Sequence, residues 1–323
     1  MSTFFKRLFV FATLCVLSGC NPSTFDGISE DHSLVIVSNA FDSSISFIDG
    51  KTHSTLTTWD TPHPVTGTLL VDHDRLLTYS TTSSMLYVYE LSSGTQLETW
   101  EVNSGIDDAI IIGDTIYLTQ RDQNIITTFS TNGERLREIA VGNSPQHLYS
   151  SGDELYVLNY EEATISVIDL ETLTLSRTLP SIDRATDMIL IDETLAWVGG
   201  HGRGTDITNY VEVIAIDEEE SMNQIYAPTM PVAFLPHTDE VLVLSHGSNQ
   251  LRLINPHTNE VSYTTDTVAN PFSMAATDSY LFVAGYDSNT VEIFDLDTVS
   301  SLTTLTVGEG PIHLTIREEA SHP

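Results

Sequence analysis

LYVLNYEEATISVIDLETLTLSRTL, residues 155–179, reads as three short strands in succession: an apolar run, a polar loop, a second run closed by Asp169, then a third run from Thr174. The first two runs recur along the chain. Units of this kind start at residues 34, 76, 116, 155, 195, 241 and 281, at intervals of 42, 40, 39, 40, 46 and 40. A period near 40 with several short strands per unit is the sequence signature of a β-propeller blade. The expected fold is therefore all-β, a seven-bladed β-propeller of four-stranded antiparallel blades over residues 34–317.

Lettering the strands A to D outward from the channel, the shared pattern supplies B and C. Strand D follows, as at 174–179 or 302–307, and strand A precedes the next unit, as at 187–191 or 272–276. Blades stack face to face, which explains the near-continuous apolar run of strand B. Strand C is expected to alternate, with Ile165, Val167 and Asp169 on one side and Ser166 and Ile168 on the other. Asp49, Asp169, Asp217, Asn255 and Asp295 close strand C, where a short oxygen-bearing side chain can cap the turn into D. The first unit lacks a strand A. Residues 311–317 (PIHLTIR) share the pattern of SPQHLYS at 144–150, so the C-terminal strand is expected to join the first blade and close the ring, which leaves no open edge. Residues 318–323 are a tail.

Residues 1–19 read as a signal peptide. Lys6 and Arg7 precede a ten-residue apolar stretch at 8–17, too short to span a bilayer comfortably. The stretch ends in LSGC at 17–20, which resembles the lipobox of bacterial lipoproteins. That resemblance implies cleavage before Cys20 and its lipidation by two or three acyl chains of the palmitate kind. One chain alone anchors only marginally, at ~0.8 kcal/mol per buried methylene. The other reading is a secreted protein with an incidental cysteine. Asn21 follows Cys20, where an Asp would suggest retention at the inner membrane, so the expected address is the cell envelope, on the periplasmic face of the outer membrane. Residues 20–33 are polar and turn-rich and read as the lipidated cysteine and its tether.

Forty-five acidic against 12 basic side chains give a formal charge of −33, which excludes nucleic acid as a partner because such binding rests on Lys and Arg. Loss of residues 1–19 would leave Lys51 as the sole lysine. Salt adaptation and a periplasmic solubility bias both account for that balance. Cys15 and Cys20 are too few for a disulfide framework.

LYVLNYEEATISVIDLETLTLSRTL and LFVAGYDSNTVEIFDLDTVSSLTTLTVGEGPIHL (281–314) resemble the repeats of YVTN-type β-propellers. Those have a Tyr-Val-x-Asn-like strand, a polar loop with Asn-Thr-Val, an Asp-closed strand and then Val-Gly-x-x-Pro. The resemblance covers residues 34–317, strongest in the fourth and seventh units. It implies a fold whose roles are diverse.

Ligands of such rings bind where the D–A and B–C loops converge on the channel mouth. His147 and His313 each lie two residues after a proline, Pro145 and Pro311. Counting eight residues back from each strand B start gives Asp108, His147, Asp187, Ala233 and Ser273, with His313 joining through closure and Thr66 or Thr68 in the second unit. Asp108, His147, Asp187 and His313 could hold a divalent cation such as Zn²⁺ or Cu²⁺, or Ca²⁺ with help from carbonyls and water. The same groups could act as general acid and base, or simply fix the loops by hydrogen bonds. A second candidate is the long B–C loop of the fifth unit, GGHGRGTD at 199–206, which carries His201 and Arg203. Arg203 either meets an anionic ligand or partner carboxylate, or pairs with a neighbouring Asp. His246 and Arg121 occupy other B–C loops. No phosphate-binding glycine loop, nucleophile elbow, CxxCH or HExxH motif occurs. Trp59, Trp100 and Trp197 fall in strands and are expected in the core.

The function expected from these features is a monomeric, lipid-anchored, non-catalytic binding or scaffold module that engages a small ligand or an envelope protein at the mouth. Its membrane contact would be the lipid alone. The alternative is a metal-dependent hydrolase or lyase resembling propeller lactonases.

Overall fold

A computed structural model describes residues 25–319. The signal peptide and Cys20 lie outside these residues. Seven four-stranded antiparallel sheets form the blades, and no helix occurs among the described residues. The fourth blade runs Pro145–Ser151, Glu154–Asn159, Thr164–Asp169 and Thr174–Pro180, in hydrogen-bonded order A-B-C-D. In the first blade the C-terminal strand Pro311–Arg317 lies innermost, antiparallel to Leu34–Asn39, with Leu34 opposite Arg317 and Ser38 opposite His313. The ring thus closes as its repeats require.

The core is not one mass but seven layers. Each apolar cluster joins two adjacent blades, such as Trp59, Phe47, Leu76 and Tyr89 between the first and second, or Trp197, Val213, Phe234 and Val243 between the fifth and sixth. All three tryptophans are buried in such layers. Blades covered on both faces also override the alternation expected of strand C: residues Ile165 to Ile168 are all buried. Ser166 tolerates this because its hydroxyl accepts hydrogen bonds from Asn159 Nδ2 and the Gly142 amide. Only strand D, at the rim, shows long exposed runs.

Turn chemistry repeats with the blades. Oδ1 of Asp49, Asp169, Asn255 and Asp295 accepts the amide three residues on, at 2.7–3.0 Å, as a cap on the C–D turn must. The fifth blade departs from this: Ala215 closes its strand C, and Asp217, expected there, falls within the turn because the longer B–C loop shifts the count. Asn124, Asn249 and Asn289, in B–C loops, take left-handed backbone angles and accept the amides of Ser144, Asn270 and Gly310 at 2.9 Å. Each Asn pins the entry into the next blade.

The segment expected as a tether is docked from Phe25 onward. Phe25 stacks on Trp59 at 4.9 Å, Ile28 is buried, and the Trp59 indole donates to the Asp26 carbonyl. The buried Arg317 guanidinium donates to the carbonyls of Ser29 and His32. The stacking of Phe25 on Trp59 and the burial of Ile28 outweigh the polar composition that made this segment read as a tether.

Candidate functional site

A cavity of about 660 Å³ opens at the channel mouth, walled by D–A and B–C loops and by the first residues of the strands A. Register places one residue per blade in a ring there. His313 faces Ser38, His147 faces Leu158, Asp187 faces Gly199, Ala233 faces Leu244 and Ser273 faces Ala284, each just before a buried residue of the same strand. The count of eight holds for these blades and for Asp108. In the second blade neither Thr66 nor Thr68 takes the position. Gly67 does, opposite Tyr79, and a Cβ on Gly67 would lie 2.2 Å from the Tyr79 ring, which fills the place of the missing side chain.

Three of the four expected residues come together. His147 Nδ1 lies 3.0 Å from Asp108 Oδ2, and Nε2 lies 2.9 Å from Asp187 Oδ1. Burial opposes a charge on His147, but the two flanking carboxylates raise its pKa to about 10, so the ring bridges as imidazolium. Burial likewise works against the Asp108 carboxylate, yet His147 and the Leu148 amide hold its pKa below the usual value. Both carboxylates reach onward: Asp108 Oδ2 accepts the Leu148 amide and Asp187 Oδ2 accepts the Phe234 amide. Asp108, His147 and Asp187 therefore form a strap across the third to the sixth blade.

His313 does not join it. It packs edge-on to Tyr79 at 6.1 Å, its Nδ1 is buried without a partner, and burial lowers its pKa. With both His147 nitrogens spent, this ring offers a cation no free imidazole from the strap. Among the described residues no three His, Cys, Asp or Glu side chains stand as a metal-ligating group.

A second ring, nearer the rim, escaped the count. In six blades the first residue of the B–C loop donates its amide to a carbonyl of the D–A loop: Ala40 to Gly310, Arg121 to Gly105, Tyr160 to Ser144, His201 to Arg184, His246 to Met230 and Tyr286 to Asn270. Three of these side chains build an aromatic arc with Phe272 and Phe41. Centroids fall 5.3 Å apart for His201–His246, 4.4 Å for His246–Phe272, 5.0 Å for Phe272–Tyr286 and 4.8 Å for Tyr286–Phe41. Burial, with His246 and Arg184 nearby, pushes His201 down to about 4, and burial lowers His246 as well, so both are neutral rings at pH 7. The sequence carried a signal for this arc, since the first residue after each strand B is as countable as the residue two after each proline.

Asp107, absent from the count, lines the same cavity as the arc. Its Oδ1 pairs with Arg121 at 3.1 Å while Oδ2 is buried with no hydrogen-bond partner. Burial raises its pKa to about 7 despite Arg121. Arg203 stands apart from this cavity. It is half exposed and lies 3.4 Å from Asp183 and 3.5 Å from Glu161, on a two-strand hairpin formed by Gly202–Arg203 and Asp206–Ile207. The hairpin needs a glycine at 202, where φ is +79° and a Cβ would meet the Asp206 carbonyl at 2.1 Å. The neighbouring Asp expected beside Arg203 is Asp183.

No family model and no curated protein matches the chain. Solved structures do. A protein of unknown function from Desulfotomaculum acetoxidans superposes with a TM-score of 0.73 at 14% identity, covering 88% of this chain and 99% of the other. The computationally designed protein Ika8 gives 0.66 at 14%, covering 90% and 92%. Apo AztD from Citrobacter koseri gives 0.62 at 9%, covering 88% and 97%. At such identities the likeness is one of fold alone.

Proposed function

We propose that the chain is a lipid-anchored, non-catalytic binding module of the cell envelope, a YVTN-type propeller that takes a small ligand at its channel mouth. The observation that carries this reading is the Asp108–His147–Asp187 strap. General acid–base work by the expected ring needs His147 free to exchange a proton near neutral pH with a substrate atom in reach. His147 instead has both nitrogens held by carboxylates that are themselves bonded to backbone amides, a framework role. Beside it lies a cavity within the size range of small-molecule sites, with a continuous aromatic wall.

The docked N-terminal segment supports the anchor geometry. Residues 25–33 touch the A–B and C–D turns, at His73, Gly50, Leu91 and Gly94, on the face opposite the mouth. Four residues separate Cys20 from Phe25, and the five Cα steps reach at most ~18 Å. An acylated Cys20 would hold that face to the periplasmic leaflet of the outer membrane and leave the mouth open to the periplasm.

The test is a ligand screen by thermal shift and native mass spectrometry on the full chain in detergent, beside Phe272→Ala. A ligand that raises Tm in the parent and not in the variant is the expected result. Turnover of lactone or polysaccharide substrates that His147→Gln abolishes would overturn the reading. So would stoichiometric Zn²⁺, Ca²⁺ or Cu²⁺ that is lost in a His147→Ala/His313→Ala double variant.

A further inference from the structure

The two walls of the mouth differ in kind, and that difference selects a chemistry. One wall is the arc of neutral rings from His201 to Phe41, which offers π-faces and edges over four blades. The other carries carboxylates. Within that wall both oxygens of Asp108 and of Asp187 already accept from His147 or backbone amides, so these two hold the frame. Asp107 is different. Arg121 takes only Oδ1 and also leans toward Asp122 at 3.9 Å, while Oδ2, though buried, has no partner. A buried carboxylate oxygen left unpaired is costly, and a donor brought into the cavity offsets that cost.

We propose that the ligand is a small organic cation, an amine or ammonium carried on a flat apolar body, with the charge toward Asp107 and the body against Phe272 and Tyr286. This deepens the mouth-ligand reading and rests on it. An anion is disfavoured, because the whole chain carries a formal −33 and the mouth loops add Asp42, Asp122, Asp183, Asp287 and Glu309 against Arg121, Arg184 and Arg203. The same field draws cations to the opening. The aromatic faces take the flat apolar body, and their π-electrons favour a partly desolvated cation beside them. Arg121 stays paired through Asp122 when the ligand competes for Asp107. Burial, with Asp108 and Asp122 nearby, raises the Asp107 pKa against the pull of Arg121, which agrees with a carboxylate that its one partner compensates only in part.

Isothermal titration calorimetry at about pH 8, where carboxyls are ionised and amines protonated, tests this with three indoles of one shape. Tryptamine is the cation, indole-3-ethanol the neutral form and indole-3-propionate the anion. Tryptamine is expected to bind at least about tenfold more tightly than indole-3-ethanol, with no measurable binding of the propionate, and to weaken as salt rises. Asp107→Asn should remove that tenfold preference and leave the neutral indole unchanged. Phe272→Ala should weaken both. Equal affinity for all three indoles, with loss in Phe272→Ala, would overturn the cation class and leave the mouth as the site. Absence of tryptamine binding would also overturn the class, and the broader screen would then decide the mouth by itself. A cation preference that survives Asp107→Asn would overturn the role of that carboxylate.

Discussion

Replacing His147 by Gln removes the imidazolium while keeping a side chain of similar length. Asp108 retains the amides of Ala109 and Leu148, and Asp187 retains those of Met188 and Phe234. What is lost is the charge between them. Removing one partner of a fully buried ion pair costs about 3–5 kcal/mol. The strap borders the cavity and the His147 side chain is 27% exposed, so about 2–3 kcal/mol is expected here. Chains of this size move by roughly 2 °C per kcal/mol, giving a Tm loss of about 4–6 °C at neutral pH. The pH dependence is the sharper test. His147 holds its proton to about 10 in the folded ring, above its ordinary value of ~6.5. Its contribution is therefore complete below ~6.5 and declines as pH rises through about 10. Scanning calorimetry of parent and variant from about pH 5 to 10, at fixed ionic strength, should show the Tm gap narrowing with pH. The general repulsion of a −33 chain is nearly common to both proteins and cancels in the gap. A gap that is constant or widens would refute the protonated bridge.

Deleting residues 311–323 takes the innermost strand from the first blade, and the expected outcome is loss of cooperative unfolding; a melting temperature equal to that of the full chain would refute ring closure. Phe25→Ala should cost about 1–3 kcal/mol and shift Trp59 emission, because it strips the stacked ring from the N-terminal latch. No change in either would return residues 25–33 to the status of a tether. Asp107→Asn should raise Tm at about pH 8 and not at about pH 4: the folded pKa of about 7 lies above the ordinary value, so stability contributed by the protonated acid is lost as pH climbs through that window, and the amide does not titrate. An equal effect at both pH values would contradict it.

Legibility differed by kind of feature. Blade number, ring closure and the caps at Asp49, Asp169, Asn255 and Asp295 were readable because each is a local pattern repeated near every 40 residues, and a repeat reports itself; Asp217, in the one blade with a long insertion, was misplaced. The ring of Asp108, His147, Asp187 and His313 was readable for the same reason, since a fixed offset from strand B fixes a place at the mouth. The offset failed in the second blade, where Gly67 and Tyr79 trade a small residue for a large one across a register that counting does not see. The sequence also left the partners of His147 open, because a shared ring position says nothing of which side chains bond across it.

By itself, then, the sequence determined the ring, its closure and which residues border its mouth, because these follow from period and register. Tertiary structure alone decided that Asp108 and Asp187 clamp His147 while His313 turns to Tyr79, that Asp107 is left with an unpaired oxygen, and that Phe25 docks on Trp59. Those contacts join residues 33 to 47 positions apart, or more than 200 positions apart across the closure, and they depend on how neighbouring blades twist against one another. No local pattern encodes the angle between two sheets; packing of the layer between them sets it.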